Sequence, residues 1–362
     1  MKNITKTSLH FFFPIMLLTV SYSLVNAQQP PPTDTQRLER QLESMSARFD
    51  RLEKLIDDVL WYSKVGDVAL IDKVYITGPP KSKKPNPTAM GVDNPVKFWT
   101  YVFIPHKIDR SKKYPLLVFP HGGVHGDFST YHAHMVREIV AQGYIIVAPE
   151  YRGSTGYGRS FMELIDYGAL ENDDVYASRN YMIENYDFVD NDRIGILGWS
   201  HGGMISLMNV FEYPDAYKAA YAGVPVSDLV ARMGYATDDY RRLFSAQYHI
   251  GKTARDNIEE YRKRSPVNHA EKLKTPLLIH TTTNDDDVNV LEVEHLIRAL
   301  KAAGKKFEYE IFKDAPGGHS LERIDIKSAR ETRLKVYKFL ATYLKPPTPF
   351  RSLDDLVKAG YR

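Results

Sequence analysis

Residues 193–200 read RIGILGWS, an apolar run that stops on a serine, and HGGMISLMNVF follows at once with apolar residues at helical spacing. A buried strand that turns straight into a helix, on a serine held between Gly198 and Gly202, narrows the fold more than any other stretch of the chain. Such a turn is sharp, and flanking glycines let it close. The serine hydroxyl is pushed out beyond the sheet edge, while the new helix directs its N-terminal N–H groups and positive dipole end toward the same point. Ser200 is therefore a candidate nucleophile, provided that an acid and a histidine follow it in that order.

The rest of the chain alternates strand-like and helix-like segments. Strands are expected at ALIDKVYIT (69–77), VKFWTYVFI (96–104), PLLVFP (115–120), GYIIVAP (143–149), RIGILGW (193–199), AAYAGVP (219–225), PLLIHT (276–281) and FEYEIF (307–312). Near-continuous Val/Ile/Leu runs suit strands buried on both faces. Helices fit between them, at 131–141, 175–184, 202–211, 290–302 and 329–344. The pattern predicts one α/β domain over residues 65–345, a mostly parallel sheet of eight strands with helices on both faces.

Both partners of Ser200 stand where this fold needs them. An acid should follow a later strand, and Asp285, Asp286 and Asp287 follow PLLIHTTTN; a histidine should follow the last strand, and His319 lies in KDAPGGHSL. An unperturbed serine hydroxyl is a poor nucleophile, so His319 would take its proton and return it to the leaving group, with a carboxylate fixing the imidazole tautomer. An oxyanion needs two donors. The backbone N–H of His201 supplies one, and the loop HGG at 121–123 supplies the other, with Gly123 favoured over Gly122.

These segments, HGGVHG (121–126), APEYRGSTGYGRSF (148–161), GWSHGG (198–203), YRKRSPVNHAEKLKTPLLIH (261–280) and DDDV (285–288) followed by GGHS (317–320), resemble the catalytic α/β-hydrolase domain of the prolyl oligopeptidase family, in its acylaminoacyl-peptidase and dipeptidyl-peptidase branches. The resemblance covers residues 95–345. It implies a serine peptidase that cleaves amide bonds of short peptides through an acyl-enzyme on Ser200, with His319 as base and no cofactor. The family acid precedes a valine by three residues, which carries over to Asp285 and Val288. Departures are Thr281 in place of a glycine before the acid loop, with one extra residue that keeps Asp286 as an alternative acid, Val124 in place of a proline, and His201 in place of tyrosine or asparagine. Relatives commonly carry an N-terminal β-propeller, and only about 65 residues precede the hydrolase here, so the chain is expected to lack one. A carboxylesterase using the same triad is the enzymatic alternative; a non-catalytic assembly protein built around the N-terminal helix is the other.

Composition excludes several further classes. Lys2 and Lys6 precede the apolar stretch LHFFFPIMLLTVSYSLV (9–25), and VNA offers a cleavage site after Ala27, so residues 1–27 are expected to be a secretory signal and the protein to be secreted or periplasmic, with no stable membrane insertion after cleavage. Without those two lysines 46 basic residues face 45 acidic ones, which gives no electrostatic case for nucleic acid. Cysteine is absent, excluding a thiol nucleophile, a disulfide framework and thiolate metal sites. His121, His125, His132 and His134 lie close in sequence, yet His121 belongs to the oxyanion loop and the last two face different sides of a helix, so no metal is expected.

Residues 28–36 read as a Pro-rich linker and 346–362 as a C-terminal tail. Between them and the hydrolase, residues 37–62 form an expected amphipathic helix whose Leu38, Leu42, Met45, Phe49, Leu52, Ile56 and Val59 alternate in steps of four and three. That is a heptad seam. It points either to a homo-oligomer through residues 38–59 or to a helix docked by this stripe on its own domain, and Leu55 and Leu60, which widen the stripe, favour docking. A long excursion, Ser227 to Lys274, carries Tyr235, Tyr240, Phe244 and Tyr248, which either roof the substrate pocket and set acyl preference or, the favoured reading, form the excursion's own packing core.

Overall fold

The computed structural model describes residues 33–84 and 86–360, so the expected signal segment and most of the linker lie outside the described residues. The chain divides into two compact units, residues 1–44 and 45–362. In the first, Asp34 starts a helix and is held by Arg37 at 2.7 Å, an acid in the first turn where the helix dipole favours it.

The second unit holds eight strands: β1 (Ala69–Pro80), β2 (Pro95–Pro105), β3 (Tyr114–Val118), β4 (Ile145–Pro149), β5 (Val189–Trp199), β6 (Ala219–Gly223), β7 (Leu277–Thr282) and β8 (Glu308–Phe312). They form one sheet in the order β1-β2-β4-β3-β5-β6-β7-β8. β1 and β2 pair antiparallel, as do β2 and β4, and every later pair is parallel. The helices are α1 (Asp34–Val65), α2 (Ala133–Ala141), α3 (Arg159–Met162), α4 (Leu170–Asn185), α5 (His201–Glu212), α6 (Leu229–Tyr235), α7 (Asp238–Ser245), α8 (Ile258–Lys263), α9 (Val290–Ala302), α10 (Lys327–Leu344) and α11 (Leu353–Ala359). This is the α/β-hydrolase arrangement expected from the sequence.

Strand alternation sorts the core into two layers. Leu116, Val118, Ile194 and Ile196 pack with α4, α5 and α9 on one face, whereas Leu117, Phe119 and Leu197 pack with α1, α2, α10 and α11 on the other. Every residue of α5 from His201 to Phe211 is buried, so the helix that follows Ser200 is fixed on all sides. Among the described residues no helix is long and apolar enough to cross a membrane. The residues after 345 are more ordered than a tail: Ser352 and Asp355 form a capping box that starts α11, and Phe350 and Leu356 are buried in the second layer.

The docking of α1 corrects the sequence expectation. The helix is docked, but the stripe faces away from the domain: Leu52, Ile56 and Val59 are exposed, and the contacts come from the opposite side. Trp61 is wholly buried, 4.9 Å from the Phe103 ring and stacked on Phe128 at 5.6 Å. The Lys54 ammonium, also buried, reaches Glu150 at 2.6 Å, Asp127 at 2.8 Å and the Phe128 carbonyl at 2.9 Å. Burial alone would lower the Lys54 pKa, but the two carboxylates hold it above its ordinary value. Burial pushes the Glu150 carboxyl up to about 7 against the pull of Lys54. Asp57 accepts from the Thr130 backbone N–H at 3.0 Å and hydroxyl at 2.6 Å, and Lys73 on β1 donates to Asp58 at 2.7 Å. A polar and aromatic footprint of this kind leaves no trace in a hydrophobic pattern.

Lys54→Met leaves Glu150 buried without its partner and is expected to lower the unfolding free energy by about 3–5 kcal/mol, as breaking a buried ion pair does. Trp61→Ala is expected to cost a similar amount, about 3–5 kcal/mol, through lost burial and a cavity. Urea denaturation midpoints followed by circular dichroism check both.

Candidate active site

Four strands deliver the site at their C-terminal ends, the edge where parallel sheets of this kind collect ligands. The β5 ladder runs through Gly195–Trp199 against Ala219–Gly223 and is continued by the Ser200 N–H, which donates to the Gly223 carbonyl at 2.9 Å. There the chain reverses. Ser200 takes φ 57°, ψ −122°, a conformation that L residues rarely adopt, and α5 begins at the next residue. Side chains at the flanking positions would collide with backbone: a Cβ on Gly198 would stand 2.3 Å from the Gly202 carbonyl oxygen, and one on Gly202 would stand 2.3 Å from that of Pro120. These contacts give the glycines of GWSHGG their physical cause.

The Gly-rich loop after β3 lies directly against this turn. A Cβ on Gly122 would meet the Ser200 Cβ at 3.4 Å, and Gly123 follows with φ 86°, open to glycine at little cost. The loop is held from several sides. The His201 imidazole bonds through Nδ1 to the Gly123 carbonyl at 3.0 Å and through Nε2 to Glu171 at 3.3 Å, and it stacks on Tyr167 at 4.1 Å between ring centres. His121 bonds through Nε2 to the Ser154 hydroxyl at 2.8 Å; burial lowers its pKa to about 3 and keeps it neutral. On the far side Asp127 and Thr130, a few residues past the glycines, are gripped by Lys54 and Asp57 of α1. The backbone N–H of His201, as the first residue of α5, is among those a helix leaves without an intrahelical acceptor.

The acid loop after β7 and the histidine loop after β8 meet each other. His319 Nδ1 lies 2.9 Å from both carboxylate oxygens of Asp285, whose Oδ1 also accepts from the backbone N–H groups of Asp287 at 3.0 Å and Val288 at 2.8 Å. Asp285, rather than Asp286, is the carboxylate on the imidazole. Burial alone would lower the His319 pKa, but the Asp285 bond, with the charges of Asp285, Asp287 and Glu322, raises it above the ordinary histidine value. His319 Nε2 has Asp287 Oδ2 at 3.5 Å, and among the described residues the Ser200 hydroxyl makes no hydrogen bond. A seryl–imidazole hydrogen bond is thus not made in this structure.

Sequence reasoning missed what holds the acid loop. Arg232, buried on α6, donates to Asp287 Oδ1 at 2.7 Å and its carbonyl at 3.1 Å, to Glu292 Oε1 at 3.2 Å, and to the hydroxyls of Tyr235 and Tyr240 at 3.0 Å and 2.9 Å. The signal was an arginine among Leu229, Val230 and Met233, since a guanidinium on an apolar helix face calls for buried carboxylates. Of the excursion's aromatics, Tyr240 packs on Phe244 at 4.8 Å, in keeping with a packing core. Tyr235 instead is partly exposed and serves the Arg232 cluster, while Tyr248 lies 6.2 Å from the His125 ring. The four clustered histidines each have their own protein partner: besides His121, His125 meets the Gly153 carbonyl at 3.0 Å, His132 that of Ser129 at 3.3 Å and His134 that of Glu322 at 2.9 Å.

Comparison with known proteins places this geometry. The profile of the prolyl oligopeptidase family matches residues 129–347. The uncharacterized peptidase YuxL of Bacillus subtilis (strain 168) is 30% identical over 232 residues, 64% of this chain and 34% of the relative. Dipeptidyl peptidase 8 of Homo sapiens is 30% identical over 222 residues, 58% of this chain and 24% of the relative. The chain therefore spans about a quarter to a third of the length of these curated relatives. Among solved structures, the Pyrococcus horikoshii acylaminoacyl peptidase shares the fold with a TM-score of 0.64 at 23% identity, over 83% of this chain and 45% of that one. A puromycin hydrolase shares it with a TM-score of 0.65 at 20% identity, over 78% of this chain and 40% of that one. With the family profile matching well over half of its residues, across the serine turn, the acid loop and the histidine loop, the chain belongs to the prolyl oligopeptidase family.

Proposed function

We propose that the protein is a serine peptidase that cleaves amide bonds of short peptides through an acyl-enzyme on Ser200. The observation that carries this reading is the strained Ser200 turn packed against the Gly122–Gly123 loop, with the Asp285–His319 pair at the same edge of the sheet. The chemistry follows from the groups in place. Ser200 Oγ attacks the scissile carbonyl carbon as His319 Nε2 takes the hydroxyl proton, and Asp285 holds the proton on Nδ1 and stabilises the imidazolium. The carbonyl oxygen, now an anion, is held by the backbone N–H groups of His201 and Gly123. As the C–N bond breaks, His319 gives the proton to the departing amine. Water then attacks the acyl carbon, its proton passes through His319 to the Ser200 oxygen, and the carboxylic acid leaves.

This route requires His319 Nε2 to turn from Asp287 onto Ser200 when substrate binds, a tightening common to sites of this class, whose catalytic hydrogen bonds are often long without ligand. The proposal extends to a secreted or periplasmic place of action, supported by the charged-then-apolar pattern of residues 1–27.

A fluorophosphonate probe is expected to label the protein at Ser200, and Ser200→Ala to abolish labelling and lower kcat on aminoacyl-amide substrates by about 10^4-fold or more. Turnover of short-chain esters without amides would establish the esterase instead, and no labelling at all would overturn the enzymatic reading. The pH profile follows from the His319 environment. A base must be neutral to act, so the acid limb of kcat/KM is expected to have its midpoint above the ordinary histidine value of 6.5. Asp287→Asn removes one of the charges that raise it and is expected to move that limb to lower pH, as a profile measured from pH 5 to 9 would show.

A further inference from the structure

We propose that α1 joins two copies of this chain as a parallel, in-register two-helix coiled coil along its exposed apolar stripe. In heptad terms Leu42, Phe49 and Ile56 occupy a positions and Leu38, Met45, Leu52 and Val59 occupy d positions. All seven are between 50 and 70% exposed, an unusual state for large apolar side chains in one row. Within 45–65 the buried and half-buried residues are Ala47, Asp50, Lys54, Asp57, Asp58, Trp61, Lys64 and Val65, and every one falls at b, c or f. Over residues 45–65 the hydrolase occupies the back of the helix, and the front is left open.

A second copy of the same helix fits that front by spacing and by charge. In a parallel pair a g residue faces the e residue five positions on in the partner, which sets Arg48 against Glu53 of the second copy, twice by symmetry. Leu55 and Leu60 stand in the same relation and widen the apolar contact, as Gln41 and Ser46 supply a neutral polar one. An antiparallel pair sets g beside g and e beside e, so Arg48 would lose Glu53. The like-signed pair, Asp34 with Glu39, falls at the first turn, where Asp34 already has Arg37. Ile56 at a beside Leu52 at d is, locally, the combination that favours two strands. Three heptads would be short for free peptides, whose association must also pay for helix formation. Here Lys54, Asp57, Asp58 and Trp61 have fixed the helix on its own domain beforehand, which lowers the cost of pairing.

The inference is independent of the catalytic reading. Sedimentation equilibrium of the purified protein over the micromolar range is expected to give twice the single-chain mass. Phe49→Lys combined with Ile56→Lys is expected to halve it, with the circular dichroism spectrum and fluorophosphonate labelling unchanged. Because the chain has no cysteine, single substitutions report geometry cleanly. Met45→Cys and Val59→Cys, two heptads apart on the stripe, are each expected to form a disulfide-linked dimer on mild oxidation, which only a parallel in-register pair allows for both. A monomer throughout the range, a dimer whose mass the lysine pair leaves unchanged, cross-linking at one of the two positions alone, or a monomer that floats with phosphatidylglycerol-containing vesicles would each overturn the proposal.

Discussion

The reversal of the chain at Ser200 is the constraint on which the rest of the site depends. A non-glycine residue in that backbone conformation is held there by its surroundings: the ladder bond to Gly223, the wholly buried helix that follows, and backbone carbonyls packed where side chains would otherwise stand. The strain is maintained by the sheet and the wholly buried α5 together. Apart from the His201 N–H at the start of α5, every other functional group comes from a loop that must meet this fixed point.

Those loops are secured by buried charge as well as by apolar contact. The oxyanion loop is braced by Glu171 through the His201 ring on one side and by Lys54 and Asp57 of α1 on the other. The acid loop is braced by Arg232, which carries the excursion between β6 and β7 with it. Such networks add little net stability over well-packed hydrocarbon, but losing one member leaves a charge stranded, so they specify position strictly. Asp287 stands at the junction, bound to Arg232 and close to His319 Nε2.

Much of this was legible in the sequence, for reasons that differ by element. Interior strands such as β5 and β7 announce themselves because burial on both faces demands continuous apolar runs, and the order serine, acid, histidine follows from chain topology. The family resemblance, in which the acid precedes a valine by three residues, implies Asp285 rather than Asp286, and the geometry puts Asp285 on His319. α4 begins five residues before the expected Val175 because Glu171, Asn172 and Asp174, buried in its first turns, break the apolar period. α11 stands where a tail is expected, and its one signal in the sequence is the helix start Ser352-x-x-Asp355. The face by which α1 docks could not be read at all: hydrophobic periodicity finds the apolar stripe, whereas the footprint is built on an ammonium, two carboxylates and one indole.

That footprint also acts as a ruler. Lys54 and Trp61 are seven residues apart, two turns of helix, and therefore project almost in line toward Glu150 and Phe128. One inserted residue between them would swing the indole by about 100° away from its pocket, while the same insertion ahead of Lys54 would leave both anchors where they are. The stretch between the two anchors is consequently fixed in length by the docking, whereas a change of length ahead of Lys54 leaves the docking untouched and is felt only by the phase of the apolar stripe.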